Sequence, residues 1–319
     1  MIDISICIPT YNNKHILYNC LKSIFDKTKG ITIEVIVCDD SSVDGTAGML
    51  AADFPEVRLV KNQIRQGYTK TINRAIREAR GDKILLLNND TVFIDNPLSG
   101  LNDYLIKHAE TGAVTCKMLN IDGSLQRGFN VRRFPDLWYM LWEALMLDRI
   151  FPKQFLTRHF SMLDFNPDLL QEVDQPAATF LLVRKTVLKR IGLLDENLPN
   201  FYNDVDLCLR IRKAGWKIVY HPGASIYHHG GGSYLLLPKK DAMLNNYRDR
   251  FAFVHKHFGL GSLTVLKTVL MIGMIIRILS FLGIFYLVKY KLLSLKNVTP
   301  ANSWEAIKSY KGVLELCLR

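Results

Sequence analysis

Residues 2–116 alternate between short apolar runs and amphipathic helical patterns, and this alternation limits the possible folds more than any other feature. Runs rich in β-branched and aliphatic residues, such as Ile33–Cys38 and Lys83–Leu87, predict buried strands. Segments whose apolar residues recur every three or four positions, such as Thr69–Arg80, predict helices. Strands that alternate with helices form a mostly parallel sheet covered on both faces. We therefore predict an α/β fold.

Residues 118–235 follow a less regular pattern. Phe180–Val183 predicts a buried strand and Val205–Ala214 a helix. Lys217–Tyr220 and Ser225–His228 predict two short strands. Further strands and a helix are therefore predicted in this half.

Polar clusters follow three of the predicted strands at the point where each strand ends. They are Pro9-Thr10-Tyr11-Asn12, Asp39-Asp40-Ser41-Ser42 and Asn88-Asn89-Asp90. Ligands bind beyond the carboxyl ends of the strands in an open parallel sheet, so the fold would bring all three clusters to one crevice. An aspartate after a strand is often only a helix cap, and this alternative stays open for Asp39 and more so for Asp44.

The residue types in these clusters suit the binding of a nucleoside diphosphate. A divalent cation held by a carboxylate neutralises the charge on a departing diphosphate, and Mg²⁺ or Mn²⁺ needs only one or two protein ligands there. Asp90 is the candidate for that ligand. A carboxylate such as that of Asp39 is able to accept the imide N–H of a uracil or thymine ring.

The chain also carries an ordered series of longer motifs. They are Ile8–Asn12, Val37–Thr46, Leu87–Thr91, Gly192–Glu196, Asn203–Arg210, Ala214–Trp216 and His228–Ser233, with Gly67 and Asn73 between the second and third. In this order they resemble the signature blocks of family 2 glycosyltransferases, and the later blocks resemble the rhamnosyltransferase-like subgroup. The resemblance covers residues 2–235 and implies the GT-A fold, a Rossmann-like sheet with a mixed acceptor half.

The resemblance also implies roles for individual residues. Nucleotide binding is implied for Pro9, Thr10, Tyr11, Asp39, Asp40, Asn88 and Asn89. Asp90 matches the last position of the metal motif, whose first position is Asn88 here, and His228 matches a histidine able to complete the metal shell. Asp204 matches the general base, although the acidic residue that usually precedes it is replaced by Asn203.

Asp204 has a physical argument of its own, because displacement at an anomeric carbon needs a carboxylate that takes the proton of the acceptor hydroxyl. One base without a protein nucleophile gives inversion. The alternative for Asp204 is an N-cap of the helix Val205–Ala214. Asp206 forms an i,i+4 pair with Arg210, which favours a structural role over acceptor binding. Trp138 is a candidate for the acceptor site, the core or a membrane interface.

The last third of the chain differs in charge and hydropathy. Residues 239–319 carry a net charge of +9, out of +11 for the whole chain. Val269–Val288 is apolar except for Arg277, long enough to span a bilayer. A single span would place basic residues outside, against the positive-inside tendency. We therefore predict an in-plane or re-entrant helix at the cytoplasmic face of the membrane, with a core helix or dimer interface as the alternative.

These observations lead to one functional prediction. We expect a glycosyltransferase domain at 1–235, divided into a nucleotide-sugar half (1–117) and an acceptor half (118–235), and a membrane-associated helical region at 236–319. The predicted enzyme transfers a sugar from a nucleotide donor to a lipid-linked or cell-surface glycan; the resemblance implies rhamnose, and other hexosyl donors remain open. The alternatives are a nucleotidyltransferase and a sugar-nucleotide-binding protein without turnover. No basic stripe interleaved with aromatics occurs in residues 1–238, so we expect no nucleic-acid partner.

Overall fold

The computed structural model describes residues 2–151, 155–162, 165–230, 238–290 and 299–318, with the backbone alone at 155–157. The chain divides into two compact units. The first unit comprises Met1–Phe134 and Ser161–Leu235, and the second comprises Pro135–Phe160 and Leu236–Arg319. Residues 231–233, the end of the last sequence motif, lie outside the described residues.

The first unit is built on a sheet that contains nine strands in the described part of the chain, in the order β3-β2-β1-β4-β10-β6-β11-β5, with β8 beside β11. They are β1 (Ile4–Thr10), β2 (Ile33–Asp39), β3 (Arg58–Lys61), β4 (Lys83–Leu87), β5 (Thr91–Phe93), β6 (Thr111–Leu119), β8 (Gln171–Glu172), β10 (Phe180–Arg184) and β11 (Lys217–His228). A separate antiparallel pair consists of β7 (Val131–Arg132) and β9 (Gln175–Pro176).

Helices cover both faces of this sheet. They are α1 (Lys14–Lys27), α2 (Thr46–Asp53), α3 (Tyr68–Glu78), α4 (Pro97–Lys107), α8 (Lys185–Ile191) and α9 (Asn203–Lys213). Successive residues of β1 point to opposite faces: Ile6 belongs to a core that includes Leu21 of α1, whereas Cys7 belongs to a core that includes Ile72 of α3. This two-sided burial explains why the parallel strands read as continuous apolar runs. All six cysteines are free and buried, as small apolar residues are.

The strand directions confirm the predicted division of the sheet. β3, β2, β1 and β4 are mutually parallel, whereas β10 runs antiparallel to both β4 and β6. The two short strands expected within residues 217–228 are one strand, whose register shifts between His221 and Ser225. β5 was not predicted, because three residues are too few to show a period. The predicted α/β architecture, with a parallel first half and a mixed second half, is therefore confirmed.

The second unit is helical. It contains α5 (Leu137–Ala144), α6 (Leu147–Ile150), α7 (Phe155–Phe160), α10 (Lys239–Lys289) and α11 (Pro300–Leu318). α10 is interrupted at Gly259, whose backbone is left-handed in φ (83°), so two helical segments meet there. The unit includes α5, which the sequence had assigned to the acceptor half. The reason is that the strongly apolar α5 packs on α10, where Arg250 pairs with Glu143 at 3.1 Å.

Arg277 lies on the buried side of α10, where its guanidinium has hydrogen-bond partners. Its Nη1 donates to the carbonyl of Ala144 at 2.8 Å and its Nη2 to the carbonyl of Glu143 at 3.2 Å. These carbonyls belong to the last turn of α5, which carries a partial negative charge, and the Glu143 carbonyl also accepts from the amide of Met146 at 2.9 Å. The opposite side of α10 exposes apolar residues, among them Ile272, Ile275, Ile276 and Leu279.

Candidate functional site

β1 and β2 end side by side, and their last residues form one edge of the candidate site. In the parallel register Thr10 pairs with Asp39, and the amide of Asp40 donates to the carbonyl of Thr10 at 2.8 Å. The side chains of Thr10 and Asp39 are both buried. Two predicted nucleotide-binding residues are therefore neighbours at the carboxyl end of the sheet.

The carboxylate of Asp39 has an unused acceptor. Its Oδ1 accepts a hydrogen bond from the amide of Ser42 at 3.0 Å. Its Oδ2 is buried and has no hydrogen-bond partner among the described residues. A buried carboxylate oxygen without a donor is costly, so a ligand N–H that reaches it gains a strong hydrogen bond. Recognition of the imide N–H of a base requires such a buried acceptor oxygen that is not already hydrogen-bonded.

Pro9 and Tyr11 flank Thr10 in different environments. Pro9 is buried in β1, paired in register with Cys38. Tyr11 is half-buried, and the guanidinium carbon of the exposed Arg65 lies 4.2 Å from its ring centroid. A cation over an aromatic ring makes a flat, positively charged surface, which suits a base or a phosphate. Arg65 was not predicted, because it lies in the loop between β3 and α3, outside the motifs.

Asp40 has a different environment from Asp39. Its Oδ1 accepts hydrogen bonds from the Asn62 side chain at 2.8 Å and from the Gln66 amide at 2.7 Å, and its Oδ2 accepts one from the Gly67 amide at 2.9 Å. Three protein donors thus occupy the carboxylate. This favours a role in holding the turn that starts α3 over direct contact with a nucleotide.

The motif after β4 connects to two neighbouring strands. The side chain of Asn89 donates to Oγ1 of Thr10 at 2.8 Å. The amide of Asn88 donates to the carbonyl of Thr179 at 3.0 Å, and its side chain donates to Oγ1 of the same threonine at 3.2 Å. Asn89 is therefore hydrogen-bonded to the end of β1, beside the end of β2. Asn88 is instead hydrogen-bonded to the segment that leads into β10.

Asp90 and His228 form a buried pair. Oδ1 of Asp90 lies 3.3 Å from Nε2 of His228, and both side chains are about 95 % inaccessible. The strand β11 brings them together, because it runs antiparallel to β5 with His228 opposite Thr91. His229, the residue after the end of β11, is exposed. The two residues predicted to bind a metal are therefore in contact.

The donor chemistry of this pair fits a divalent cation. In the described part of the chain, no group of three or more His, Cys, Asp or Glu side chains is placed to hold a metal. A cation at Asp90 and His228 would thus need further ligands, as cations in nucleotide-diphosphate sites do from the phosphates. One carboxylate oxygen with one imidazole nitrogen suits a first-row ion such as Mn²⁺.

Asp204 lies in the first turn of α9. The helix begins at Asn203 after Tyr202, which takes the N-cap position with left-handed φ (58°), so the N-cap alternative for Asp204 is wrong. Its Oδ2 accepts a hydrogen bond from Nε2 of Gln175 at 3.2 Å. A carboxylate in the first helical turn is favoured by the helix dipole. Gln175 is itself 1 % exposed, and its Oε1 has no hydrogen-bond partner among the described residues.

Tyr68 relates Asp204 to Asp90. It is the first residue of α3, and the pKa of its phenol is raised by burial and further by the negative charges of Asp204 and Asp90. The start of α3 therefore lies within the electrostatic influence of both carboxylates.

The two acceptor-binding candidates have different positions. Asp206 is fully buried, and its Oδ2 accepts from Nε of Arg210 at 2.8 Å. Arg210 also donates to the carbonyls of Ile191, Gly192 and Leu193. These contacts support the structural role of Asp206, and the acceptor-binding hypothesis gains no support from them. Trp138 lies on α5 in the second unit with 74 % of its surface exposed, so its core alternative is wrong.

Sequence reasoning missed Tyr68, Gln126 and Gln175. Gln126 contacts His228, a residue 102 positions away in the chain, and Gln175 contacts Asp204 across 29 positions. Glutamine and tyrosine have no distinctive spacing in a sequence. Their positions depend on strand pairings such as β7 with β9, which only the folded chain defines.

Comparison with known sequences gives a consistent family. Residues 5–169, just over half of the chain, match the sequence profile described as glycosyl transferase family 2. An uncharacterized protein from Sinorhizobium fredii is 26 % identical over 235 residues, 72 % of this chain and 25 % of that protein. An N-acetylglucosaminyl-diphospho-decaprenol L-rhamnosyltransferase from Mycobacterium tuberculosis is 29 % identical over 208 residues. That alignment covers 62 % of this chain and 66 % of the rhamnosyltransferase.

Solved structures share the fold at low sequence identity. A mannosyltransferase from Pyrobaculum calidifontis in complex with GDP-Man and Mn²⁺ superposes with a TM-score of 0.54 at 16 % identity, covering 98 % of this chain and 86 % of that one. Residues 1–349 of TarS from S. aureus superpose with a TM-score of 0.52 at 15 % identity, covering 98 % and 90 %. These similarities confirm the predicted GT-A architecture.

Proposed function

Because the chain belongs to family 2 of the glycosyltransferases, we propose that it is an enzyme that transfers a sugar from a nucleoside-diphosphate donor to a hydroxyl group. The observation that carries this proposal is the convergence of Thr10, Asn89 and the Asp90–His228 pair at the strand ends. The Thr10–Asn89 hydrogen bond connects the end of β1 to the residues that precede β5. The candidate base-reading carboxylate of Asp39 and the candidate diphosphate site thereby lie at neighbouring strand ends.

The nucleoside occupies the edge formed by β1 and β2 in this proposal. Oδ2 of Asp39 accepts the imide N–H of a pyrimidine base, which satisfies an oxygen that has no donor in the described chain. The Tyr11–Arg65 surface flanks the base or the phosphates. Asp40 keeps the loop before α3 in place and acts indirectly.

Asp90 and His228 would hold Mg²⁺ or Mn²⁺ together with the diphosphate. The cation, when bound, neutralises the charge that develops on the departing diphosphate. Support comes from the donor set of the pair and from fold relatives solved with Mn²⁺. Burial and the negative charges of Asp204 and Asp90 raise the pKa of the Tyr68 phenol, which therefore stays neutral at physiological pH.

Asp204 acts as the general base. It takes the proton of the acceptor hydroxyl, the hydroxyl oxygen forms the new bond to the anomeric carbon, and the bond from that carbon to the diphosphate breaks. One displacement of this kind inverts the anomeric configuration. Gln175 orients the base through its hydrogen bond to Oδ2.

We further propose that the donor sugar is rhamnose and that the acceptor is a glycan linked to a polyprenyl diphosphate. The mycobacterial relative carries both features in its name. The second unit would hold the enzyme at the cytoplasmic face of the membrane, where nucleotide sugars are available. The apolar residues exposed on α10, a helix long and apolar enough to cross a membrane, support an attachment to lipid.

The test is a panel of nucleotide sugars, including dTDP-rhamnose, assayed with Mn²⁺ and a polyprenyl-diphosphate-linked acceptor. Asp204→Asn should lower kcat by about 10²–10⁴-fold, because the base is removed, while nucleotide binding stays unchanged. Asp168→Asn is the matched control, since Asp168 is an exposed aspartate of the same unit.

Three outcomes would contradict the proposal. Full activity of Asp204→Asn would exclude its role as base. Nucleotide binding without turnover by the wild type would indicate a binding protein. Release of pyrophosphate from a nucleoside triphosphate and a sugar phosphate would indicate a nucleotidyltransferase.

A further inference from the structure

Gln126 contacts His228 at two points. Its Nε2 donates to the backbone carbonyl of His228 at 2.8 Å, and its Oε1 lies 2.9 Å from Nδ1 of the imidazole. The backbone of Gln126 is fixed as well, because its amide donates to the carbonyl of Met118 and its carbonyl accepts from the amide of Asn130. Phe129 stacks on the imidazole with a centroid distance of 5.2 Å. The ring of His228 is therefore held from several sides.

The backbone carbonyl decides which way the amide of Gln126 is oriented. A carbonyl oxygen has no hydrogen to donate, so the amide group facing it must be the NH₂ group. The oxygen Oε1 then faces Nδ1, and an oxygen without hydrogen only accepts. Nδ1 must therefore carry a proton, and the nitrogen left for any other partner is Nε2. That nitrogen faces Oδ1 of Asp90 at 3.3 Å.

We propose that Gln126 is a positioning residue that keeps the proton of neutral His228 on Nδ1 and so presents the lone pair of Nε2 to a divalent cation shared with Asp90. This inference rests on the proposed function, because it requires the Asp90–His228 pair to be a metal site. Histidine ligands generally donate their second ring N–H to an outer partner, which fixes the tautomer and the ring orientation. The Gln126 amide is also hydrogen-bonded to the backbone carbonyl of His228. One side chain would thus fix both the tautomer and the orientation of the imidazole.

Two variants separate this role from a simple structural one. Gln126→Glu keeps an acceptor for the Nδ1 proton but loses the donor to the His228 carbonyl. Gln126→Leu loses both contacts at similar size. If Gln126 only tethered the strand, both variants would be impaired alike. If it sets the tautomer, Gln126→Leu alone should allow the proton to move to Nε2, where it bonds to Asp90 and competes with the cation.

The first measurement is the tautomer itself, without any metal. Long-range ¹H–¹⁵N correlation spectra of the [¹⁵N]histidine-labelled full chain distinguish protonated from unprotonated ring nitrogens, and His228→Ala identifies the resonances among those of the eight histidines. The spectra are recorded at about pH 8.5, where imidazoles are ordinarily neutral. We expect Nδ1–H in the wild type and in Gln126→Glu, and Nε2–H in Gln126→Leu. Nε2–H in the wild type, or an unchanged tautomer in Gln126→Leu, would overturn the inference.

The second measurement is the affinity for Mn²⁺, followed by electron paramagnetic resonance of the free ion with MnCl₂ alone and with UDP or dTDP added. Gln126→Leu should bind Mn²⁺ about 10–100-fold more weakly than the wild type, the usual effect of losing an outer partner. Gln126→Glu should stay close to the wild type. Thermal unfolding of both variants checks that they are folded.

The failures of the two proposals are distinguishable. Mn²⁺ binding that does not depend on Asp90, tested with Asp90→Asn, would contradict the metal site and thus part of the proposed function. Asp90-dependent binding that Gln126→Leu leaves unchanged would contradict only the role of Gln126.

Discussion

Gly273 on α10 lies so close to the end of α5 that no side chain fits between them. A Cβ atom at this position would lie 2.0 Å from the carbonyl oxygen of Ala144 and 2.8 Å from Nη1 of Arg277. Nη1 of Arg277 donates to the same carbonyl at 2.8 Å. The change Gly273→Ala should therefore push α5 away from α10 and break the contact that caps its last turn.

The size of this effect follows from the geometry. The Cβ–oxygen contact must lengthen from 2.0 Å to at least 3.0 Å. An equal displacement takes the Arg277–Ala144 pair beyond hydrogen-bonding distance. Loss of a hydrogen bond from a charged group costs about 1.5–3 kcal/mol, whereas alanine stabilises a helix interior by about 1 kcal/mol relative to glycine. The net destabilisation of the α5 contact is about 0.5–2 kcal/mol, which corresponds to roughly 2–30-fold more frequent opening.

Hydrogen exchange measured by mass spectrometry on the detergent-solubilised protein reads this opening directly. The backbone amides of α5 should exchange about 2–30-fold faster in Gly273→Ala, while the amides of β4 in the first unit keep their protection. Gly283→Ala is the matched control, because Gly283 lies on the same helix and a Cβ there would meet no atom within 4 Å. Equal exchange of α5 in the two variants would refute the reasoning.

Three further predictions concern the nucleotide edge, the loop before α2 and the apolar face of α10. Asp39→Asn should weaken binding of UDP or dTDP about tenfold in isothermal titration, because a buried hydrogen bond to a charged acceptor is lost; unchanged affinity would exclude Asp39 from the base site. Burial raises the pKa of Asp44, but hydrogen bonds from the Thr46 hydroxyl and from the amides of Lys14 and Thr46 lower it below 3.8 overall. Its stabilising effect is therefore complete above that pH and lost as the pH falls, so the unfolding midpoints of wild type and Asp44→Ala should differ at pH 7 and converge in acid. Ile276→Ser with Leu279→Ser, both on the exposed side of α10, should reduce binding to phosphatidylglycerol vesicles by about tenfold or more, whereas Leu169→Ser in the first unit should not.

Membrane attachment through α10 is favoured because its exposed side is apolar and Arg277 is buried on the other side. The sequence alone placed a charge in the middle of an apolar helix, which would be costly in lipid. In the folded unit the guanidinium is hydrogen-bonded to two carbonyls at the end of α5, so the outer side of α10 is free of the charge. An in-plane attachment of the second unit therefore needs no buried unpaired charge.

Much of the candidate site was readable from the sequence because its parts are local. Thr10, Asp39 and Asp90 each follow a strand that the apolar pattern reveals, and parallel strands bring their carboxyl ends to one edge. The pairing of Asp90 with His228 came from resemblance alone. No local pattern predicts it, since it depends on β11 crossing the sheet to lie beside the three-residue strand β5.

The sequence by itself determined the α/β architecture, the parallel direction of the strands in its first half and the polar groups available at each strand end. Periodicity and strand-end residues are properties of short segments, so the sequence shows them directly. Only the tertiary structure decided how those groups are used. It occupied Asp40 with backbone amides, left Oδ2 of Asp39 without a donor in the described chain, and brought Gln126 to His228 and Gln175 to Asp204. Hydrogen bonds between distant segments depend on ångström distances that strand order and helix packing set, and no segment carries that information alone.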